Sequence, residues 1–185
     1  MNIIFLDMDG VVNSISFFEE WQRLHGSGEK SLEEFRSRYC CPDGYAVPDL
    51  IGRVNSLAHD ADAGIVWSSS WRERFLLPTT DDLFDEHRIR RCWESVGLDA
   101  GRFIGCTPCL NATRYSFVPR SVEIQRWIKV HDVVYNMDRA VILDDDPDAG
   151  VHHPRVLNVL TDMEFGLTAE KAGIARRWLL DDYDE

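Results

Sequence analysis

Asn2-Ile-Ile-Phe-Leu6, running directly into Asp7-Met-Asp-Gly-Val-Val-Asn13, is the stretch on which the fold of this chain turns. The first five residues are mostly apolar and include the β-branched pair Ile3 and Ile4. A run of that length and content reads as a buried strand. It is too short for a bilayer span or a signal peptide, and an Asp follows at once. The next seven residues read as a polar, Gly-containing loop. Asp7 and Asp9 lie two residues apart, so in an extended segment their carboxylates point to the same side. Two close carboxylates resist joint ionisation unless a cation or a shared proton intervenes.

Working outward, two further apolar runs end in the same abrupt way. Ile65-Val-Trp67 runs into Ser68-Ser-Ser70, and Ala140-Val-Ile-Leu143 runs into Asp144-Asp-Asp146. Val156 to Leu160 and residues 102–105 read as two more strands. Helical spacing is expected over 15–25 and 30–38, broken by Gly26-Ser-Gly28. Tyr39 to Tyr45 reads as a turn around Pro42-Asp-Gly44. Pro48 opens a helix to about Asp60. Trp71 to Leu77 reads as helical up to Pro78, and a helix capped by Thr80 ends at Gly97. Loop 106–118 is irregular. Ser121 to about Val130 forms a helix behind Pro119, and Thr168 caps a last helix to about Leu180. Short strands alternating with helices predict an α/β fold, a parallel sheet with helices on both faces. The length suits one domain over 1–185. Ligands bind such sheets beyond the carboxyl ends of the strands. The Asp7/Asp9, Ser68–Ser70 and Asp144–Asp146 clusters are therefore expected to meet at one edge.

Clustered carboxylates call for a hard cation with oxygen ligands, and Mg²⁺ is the expected one. A calcium loop over Asp144–Asp148 is disfavoured, because the stretch lacks the glycine and final Glu of that motif. The net charge is −12, yet nine arginines and no lysine fall between Arg72 and Arg126. Extended duplex nucleic acid would be repelled by most of such a surface, whereas a small anion or one nucleic-acid end could meet the Arg-rich middle. The five cysteines, Cys40, Cys41, Cys92, Cys106 and Cys109, are expected to be reduced thiols rather than a disulfide framework. No apolar run approaches the length of a membrane span, and a cytoplasmic location is expected.

Phe5-Leu-Asp-Met-Asp-Gly-Val-Val-Asn13 resembles the first motif of the haloacid dehalogenase (HAD) superfamily, an apolar strand followed by D-x-D-G. Ile65-Val-Trp-Ser-Ser-Ser-Trp-Arg72 resembles the second motif, and Ile142-Leu-Asp-Asp-Asp146 the fourth. The Ser-Ser-x-Trp-Arg ending, with Gly166-Leu-Thr168, is similar more particularly to the HAD domains associated with RNA-repair (Swiss Army Knife) proteins. The resemblance implies a three-layer, Rossmann-like fold and a phosphatase-type hydrolase acting on a phosphorylated small molecule or a nucleic-acid end.

It also implies roles. Asp7 would attack phosphorus and carry the aspartyl-phosphate. Asp9 would protonate the leaving oxygen and then activate water. Asp7, Asp9 (through its main-chain carbonyl) and Asp144 or Asp145 would hold Mg²⁺. Ser69 or Ser68 would bond the phosphoryl group, and Gly10 would also lie against the substrate. The third motif usually supplies a Lys, but none lies between Lys30 and Lys129, and the best positional match is Arg120. Arg can hold phosphate and carboxylate bidentately. Asp148 is a candidate acid to hold Arg120. Arg72 is expected either to reach the substrate or to pair with a neighbouring acid. Trp71 could stack a base or pack in the core. Residues 14–47 would form a small cap insertion. The competing reading is a non-catalytic Mg²⁺- or phosphate-binding module that keeps the acids without turnover.

Overall fold

The computed structural model describes residues 1–41, 44–77, 83–110 and 118–182. Five parallel strands form its sheet: β1 (Asn2–Leu6), β4 (Ala63–Trp67), β5 (Phe103–Cys106), β6 (Ala140–Asp144) and β7 (Val156–Leu160). Their order is β5-β4-β1-β6-β7, and every neighbouring pair is parallel. The chain builds outward from β1 through β4 to β5. It then returns to add β6 on the other side of β1, so the order reverses beside β1, where open α/β sheets bind ligands.

The period of two along β1 divides the core. Ile4 and Leu6 face a cluster that includes Val54 and Leu57 of α3 (Pro48–Asp60), Ile89 and Trp93 of α4 (Glu86–Val96), and Leu179 of α6 (Ala169–Leu180). Ile3 and Phe5 face Ile124, Trp127 and Ile128 of α5 (Arg120–Tyr135). This is the three-layer Rossmann-like arrangement expected from the sequence. No helix is long and apolar enough to cross a membrane among the described residues.

Between the β1 loop and α3 the chain forms α1 (Ile15–His25) and α2 (Glu29–Tyr39), then a small antiparallel pair, β2 (Cys40–Cys41) and β3 (Gly44–Tyr45). Phe17, Phe18, Trp21, Phe35, Tyr39 and Tyr45 pack ring against ring and hold this insertion together. It is fastened to the body where Ile15 N–H donates to the Met163 carbonyl (2.8 Å) and the Tyr45 hydroxyl to that of Ser14 (2.6 Å).

Several expected boundaries move. The segment after β4 is a short 3₁₀ helix, Ser70–Phe75. Helix α4 starts at Glu86, with the Asp85 carboxylate accepting the Arg88 N–H as its cap, rather than at Thr80. Thr80 and Pro78, the Pro42-Asp43 turn and loop residues 111–117 lie outside the described residues. Helix α5 begins at Arg120 and runs five residues beyond the expected end, closing on Asn136 in the left-handed conformation.

A buried ion pair ties α5 to the segment after β4. The Arg72 guanidinium, 2% exposed, bonds the Glu123 carboxylate in the first turn of α5. It also donates to the carbonyls of Ser69, Thr107 (3.0 Å) and Pro108 (3.1 Å). Glu123 accepts in turn from the Leu110 N–H at 2.8 Å. Breaking one side of a buried pair leaves the other charge uncompensated. Arg72→Ala is therefore expected to cost about 3–5 kcal/mol, read as a lower urea midpoint. Adding Glu123→Gln should recover part of the loss by removing the stranded charge. An unchanged midpoint in Arg72→Ala would show that the pair does not hold α5 in place.

Candidate active site

Strand register brings the polar clusters together. Leu6 lies opposite Trp67 on one side and Leu143 on the other, so Asp7, Ser68 and Asp144 come next, side by side, at the carboxyl edge of the sheet. The ladder carries one step past the strands: Asp7 N–H donates to the Leu143 carbonyl (3.0 Å) and Ser68 N–H to that of Leu6 (2.8 Å). These bonds fix where the side chains start.

Asp7 is 4% exposed. Burial pushes its carboxyl above the ordinary range and nearby Asp9 adds to this, while the Arg120 guanidinium and the Ser69 hydroxyl bonded to Asp7 pull the other way. Arg120 Nη1 donates to Asp7 Oδ1 at 2.9 Å and also to the Ser68 carbonyl, and Arg120 Nε lies 3.5 Å from Asp144 Oδ2. Asp144 is as buried as Asp7. Its carboxyl is pushed up to about 7, by burial first and by the Asp7 charge second. Asp144 Oδ1 accepts the Asp146 N–H at 2.9 Å, but Oδ2 is buried with no hydrogen-bond partner among the described residues. Asp145 is partly buried, and burial raises its carboxyl too.

Asp7, Asp144 and Asp145 each offer an oxygen, all within 4.8 Å of one another. Two buried carboxylates and a third beside them, one with an orphaned oxygen, suit a hard divalent cation. Both alternatives left open in the sequence, Asp144 and Asp145, fall in this group. Gly10 makes room for it. Its φ is +63°, and a Cβ there would come 2.7 Å from the Asp145 side chain.

The Asp9 carboxylate lies outside this group of three. Its Oδ1 accepts from Asn13 Nδ2 at 2.8 Å and its Oδ2 from the Trp71 indole N–H at 2.9 Å. Neither contact follows from local sequence pattern: Trp71 lies 62 residues away, and a Trp after a serine run signals core packing as readily as a bond to an acid.

Some expected substrate contacts are corrected. Of the two outcomes expected for Arg72, the pairing with an acid is the one observed: its guanidinium is committed to Glu123 and three carbonyls. The Gly10 N–H is taken by Asn13 Oδ1 at 2.9 Å, and the residue serves as a left-handed turn rather than a phosphate contact. Of the two serines, the Ser69 hydroxyl is the one that lowers the Asp7 carboxyl, whereas the Ser68 hydroxyl meets Thr107 at 3.4 Å. Arg120 is held by Asp7 and Asp144, not by Asp148, whose N–H is capped by the Asp146 carboxylate. Trp71 is 6% exposed and belongs to the core, so it presents no face for stacking. Cys92, Cys106 and Cys109 are free thiols, and burial pushes all three up.

The acid cluster does not line the hollow of about 560 Å³ between α3 and α6. A cavity of about 80 Å³ beside the cluster is lined by Ser70, Arg72, Glu73, Val118, Arg120, Glu123 and Asp146. Buried charge and strand register identify the site better than hollow size does.

Residues 3–172 match the family model described as the HAD domain in Swiss Army Knife RNA repair proteins. No curated protein and no solved structure matches the chain. The match spans nearly the whole chain, and the five-stranded parallel sheet flanked by helices is consistent with a Rossmann-like HAD fold. The chain belongs to the HAD superfamily, as a domain of the kind found in Swiss Army Knife RNA repair proteins.

Proposed function

We propose that this chain is a Mg²⁺-dependent phosphomonoester hydrolase in which Asp7 is the nucleophile and Asp9 the acid/base. The observation that carries the reading is the convergence on buried Asp7 of Ser69, Arg120 and the Asp144/Asp145 pair. Phosphoryl transfer requires charge neutralisation and in-line positioning more than unusual reactivity, and this group of side chains provides for both. The carboxylates of Asp7, Asp144 and Asp145, with the Asp9 carbonyl, would hold Mg²⁺. The ion would neutralise phosphate charge so that a carboxylate can approach it.

The residues of the chain then divide the work. An Asp7 oxygen bonds to phosphorus as the bond to the leaving oxygen breaks. The electron pair goes to that oxygen, which takes its proton from Asp9. Asp9, now a carboxylate, removes a proton from a water as the water attacks phosphorus. The bond from phosphorus to Asp7 breaks, releasing inorganic phosphate and restoring both acids. Arg120 and Ser69 hold the transferring phosphoryl oxygens, Arg120 standing in for the family's usual lysine.

The α1–β3 insertion over residues 14–47 serves as a small cap, which leaves room for a bulky phosphoester. A nucleotide or nucleic-acid terminal phosphate fits best, since the family's description ties such domains to RNA repair. The net charge of −12 disfavours a long duplex.

The test is phosphate release from p-nitrophenyl phosphate and a panel of nucleotides and oligonucleotides with 3′- or 5′-terminal phosphates. Turnover should require Mg²⁺, stop with EDTA, and fall by about 10⁴-fold or more in Asp7→Asn, the scale for removing a nucleophile. No release from any member, with Mg²⁺ still bound to folded protein, would favour the non-catalytic module, for which Arg120 in the lysine position is the supporting observation. Arg120→Ala should lower kcat by about 10²–10³-fold, the scale for one lost transition-state donor. Arg120→Lys should retain more, and equal kcat in the two variants would remove Arg120 from the phosphoryl site.

A further inference from the structure

The Asp9 carboxyl terminates in a soft torsion, so it turns freely unless something holds it. Here both oxygens are held. The Trp71 indole N–H reaches Oδ2 at 2.9 Å, and the Asn13 amide reaches Oδ1 at 2.8 Å. The orientation of the Asn13 amide is set independently, because its own oxygen accepts the Gly10 N–H at 2.9 Å. Trp71 is equally constrained. Its ring is buried with the β4 core, its backbone N–H is capped by the Ser69 hydroxyl, and Arg72 beside it is locked to Glu123. A buried indole spanning two chemical motifs to place one N–H on one carboxylate does more than fill space.

Each carboxyl oxygen has two lone-pair positions, and an N–H occupies one and leaves the other open. An indole N–H and an amide NH₂ cannot accept a proton. Neither donor can take a proton from Asp9, so both act only to fix where the carboxyl points. We propose that Trp71, aided by Asn13, is a positioning residue that aims Asp9 at the leaving oxygen. The inference rests on the acid/base reading of Asp9.

Its consequence depends on how much the leaving group needs a proton. A nitrophenoxide departs with little help, whereas an unsubstituted or methyl-substituted phenoxide is more basic and needs the acid. The experiment measures kcat and KM on p-nitrophenyl, phenyl and p-methylphenyl phosphate, which differ little in shape, for wild type, Trp71→Phe and Asn13→Ala. Trp71→Phe keeps an aromatic ring and deletes the N–H. The ratio of kcat on p-nitrophenyl to kcat on p-methylphenyl phosphate should rise about 10-fold above wild type in Trp71→Phe. It should rise in the same direction in Asn13→Ala, with KM little changed in both. Folding of each variant is checked by circular dichroism. If Trp71→Phe does not fold, Asn13→Ala decides by the same ratio. A uniform loss across the series, or none, in the folded variants would overturn the inference and leave Trp71 as core packing. If wild-type turnover requires Asp7 but the ratio does not move, this inference alone fails. If the wild type turns over neither these esters nor any member of the nucleotide and oligonucleotide panel, the acid/base reading fails and this one with it.

Discussion

Asp7 and Asp144 stand side by side at the ends of adjacent strands, both buried, and a carboxyl is anionic at neutral pH in water. Holding two such carboxylates together out of water is unfavourable unless positive charge is supplied. Much of the surrounding structure is arranged around this. Arg120 enters from the first position of α5 and touches Asp7, with Nε near Asp144. Placing that guanidinium requires the start of α5 to be fixed, and the Arg72–Glu123 pair one turn further in fixes it. One arginine faces the acids, and the other holds the turn from which it comes. Arg120 offsets the two charges only in part, as the unbonded Asp144 Oδ2 and the raised Asp144 carboxyl attest, and a divalent cation would complete the balance.

The loop bearing Asp7 and Asp9 must also be held in a tight form. Gly10 takes the left-handed turn and lets Asp145 approach. On the far side Gly166, with φ +67°, would place a Cβ 2.9 Å from the Val11 and Asn13 carbonyls and 2.6 Å from Leu50. The next residue, Leu167, donates its N–H to the Val11 carbonyl at 2.9 Å. Gly166-Leu-Thr168 thus backs the Asp7–Asn13 loop and, through Thr168, caps α6 in the same few residues. The resemblance in that short segment therefore has a physical basis: it is where the C-terminal part of the chain supports the first motif.

The strands that carry the site were legible because strands buried on both faces read as unbroken apolar runs, so a charged or hydroxyl residue at their end stands out. Asp7, Ser68 and Asp144 were found in this way. Parallel register, which the alternation of strands and helices predicts, then brings them together. Helix ends were less legible. Val130, Val133 and Val134 are exposed on α5, Val133 at 91%, so the apolar pattern that normally marks a buried face does not follow this helix. The α4 cap was misread because Thr80 and Asp85 are both good cap residues, and only the bond from Arg88 N–H to Asp85 decides between them. Least legible were contacts between side chains far apart in sequence. Arg72 could have faced substrate or an acid, and its partner lies 51 residues on, in a helix whose first turn shows no local sign of it.

Arg120, proposed above to stand in for the family's usual lysine, has a rationale in the same geometry. A lysine ammonium is a point charge at the end of a flexible stem, suited to one anionic centre. The centre here is spread out. Asp7, the Ser68 carbonyl and Asp144 lie on three adjacent strands, and Arg120 meets the first two with Nη1 while presenting Nε to the third. A flat fork spans such a row where a single ammonium would have to choose within it. The fork is useful only if its plane is held, and a first-turn residue is held only as well as its helix is docked. Glu123, anchored on Arg72 and on the Leu110 N–H, docks that turn. A lysine site would not need so rigid a support, which makes the buried Arg72–Glu123 pair the structural counterpart of Arg120 in that position.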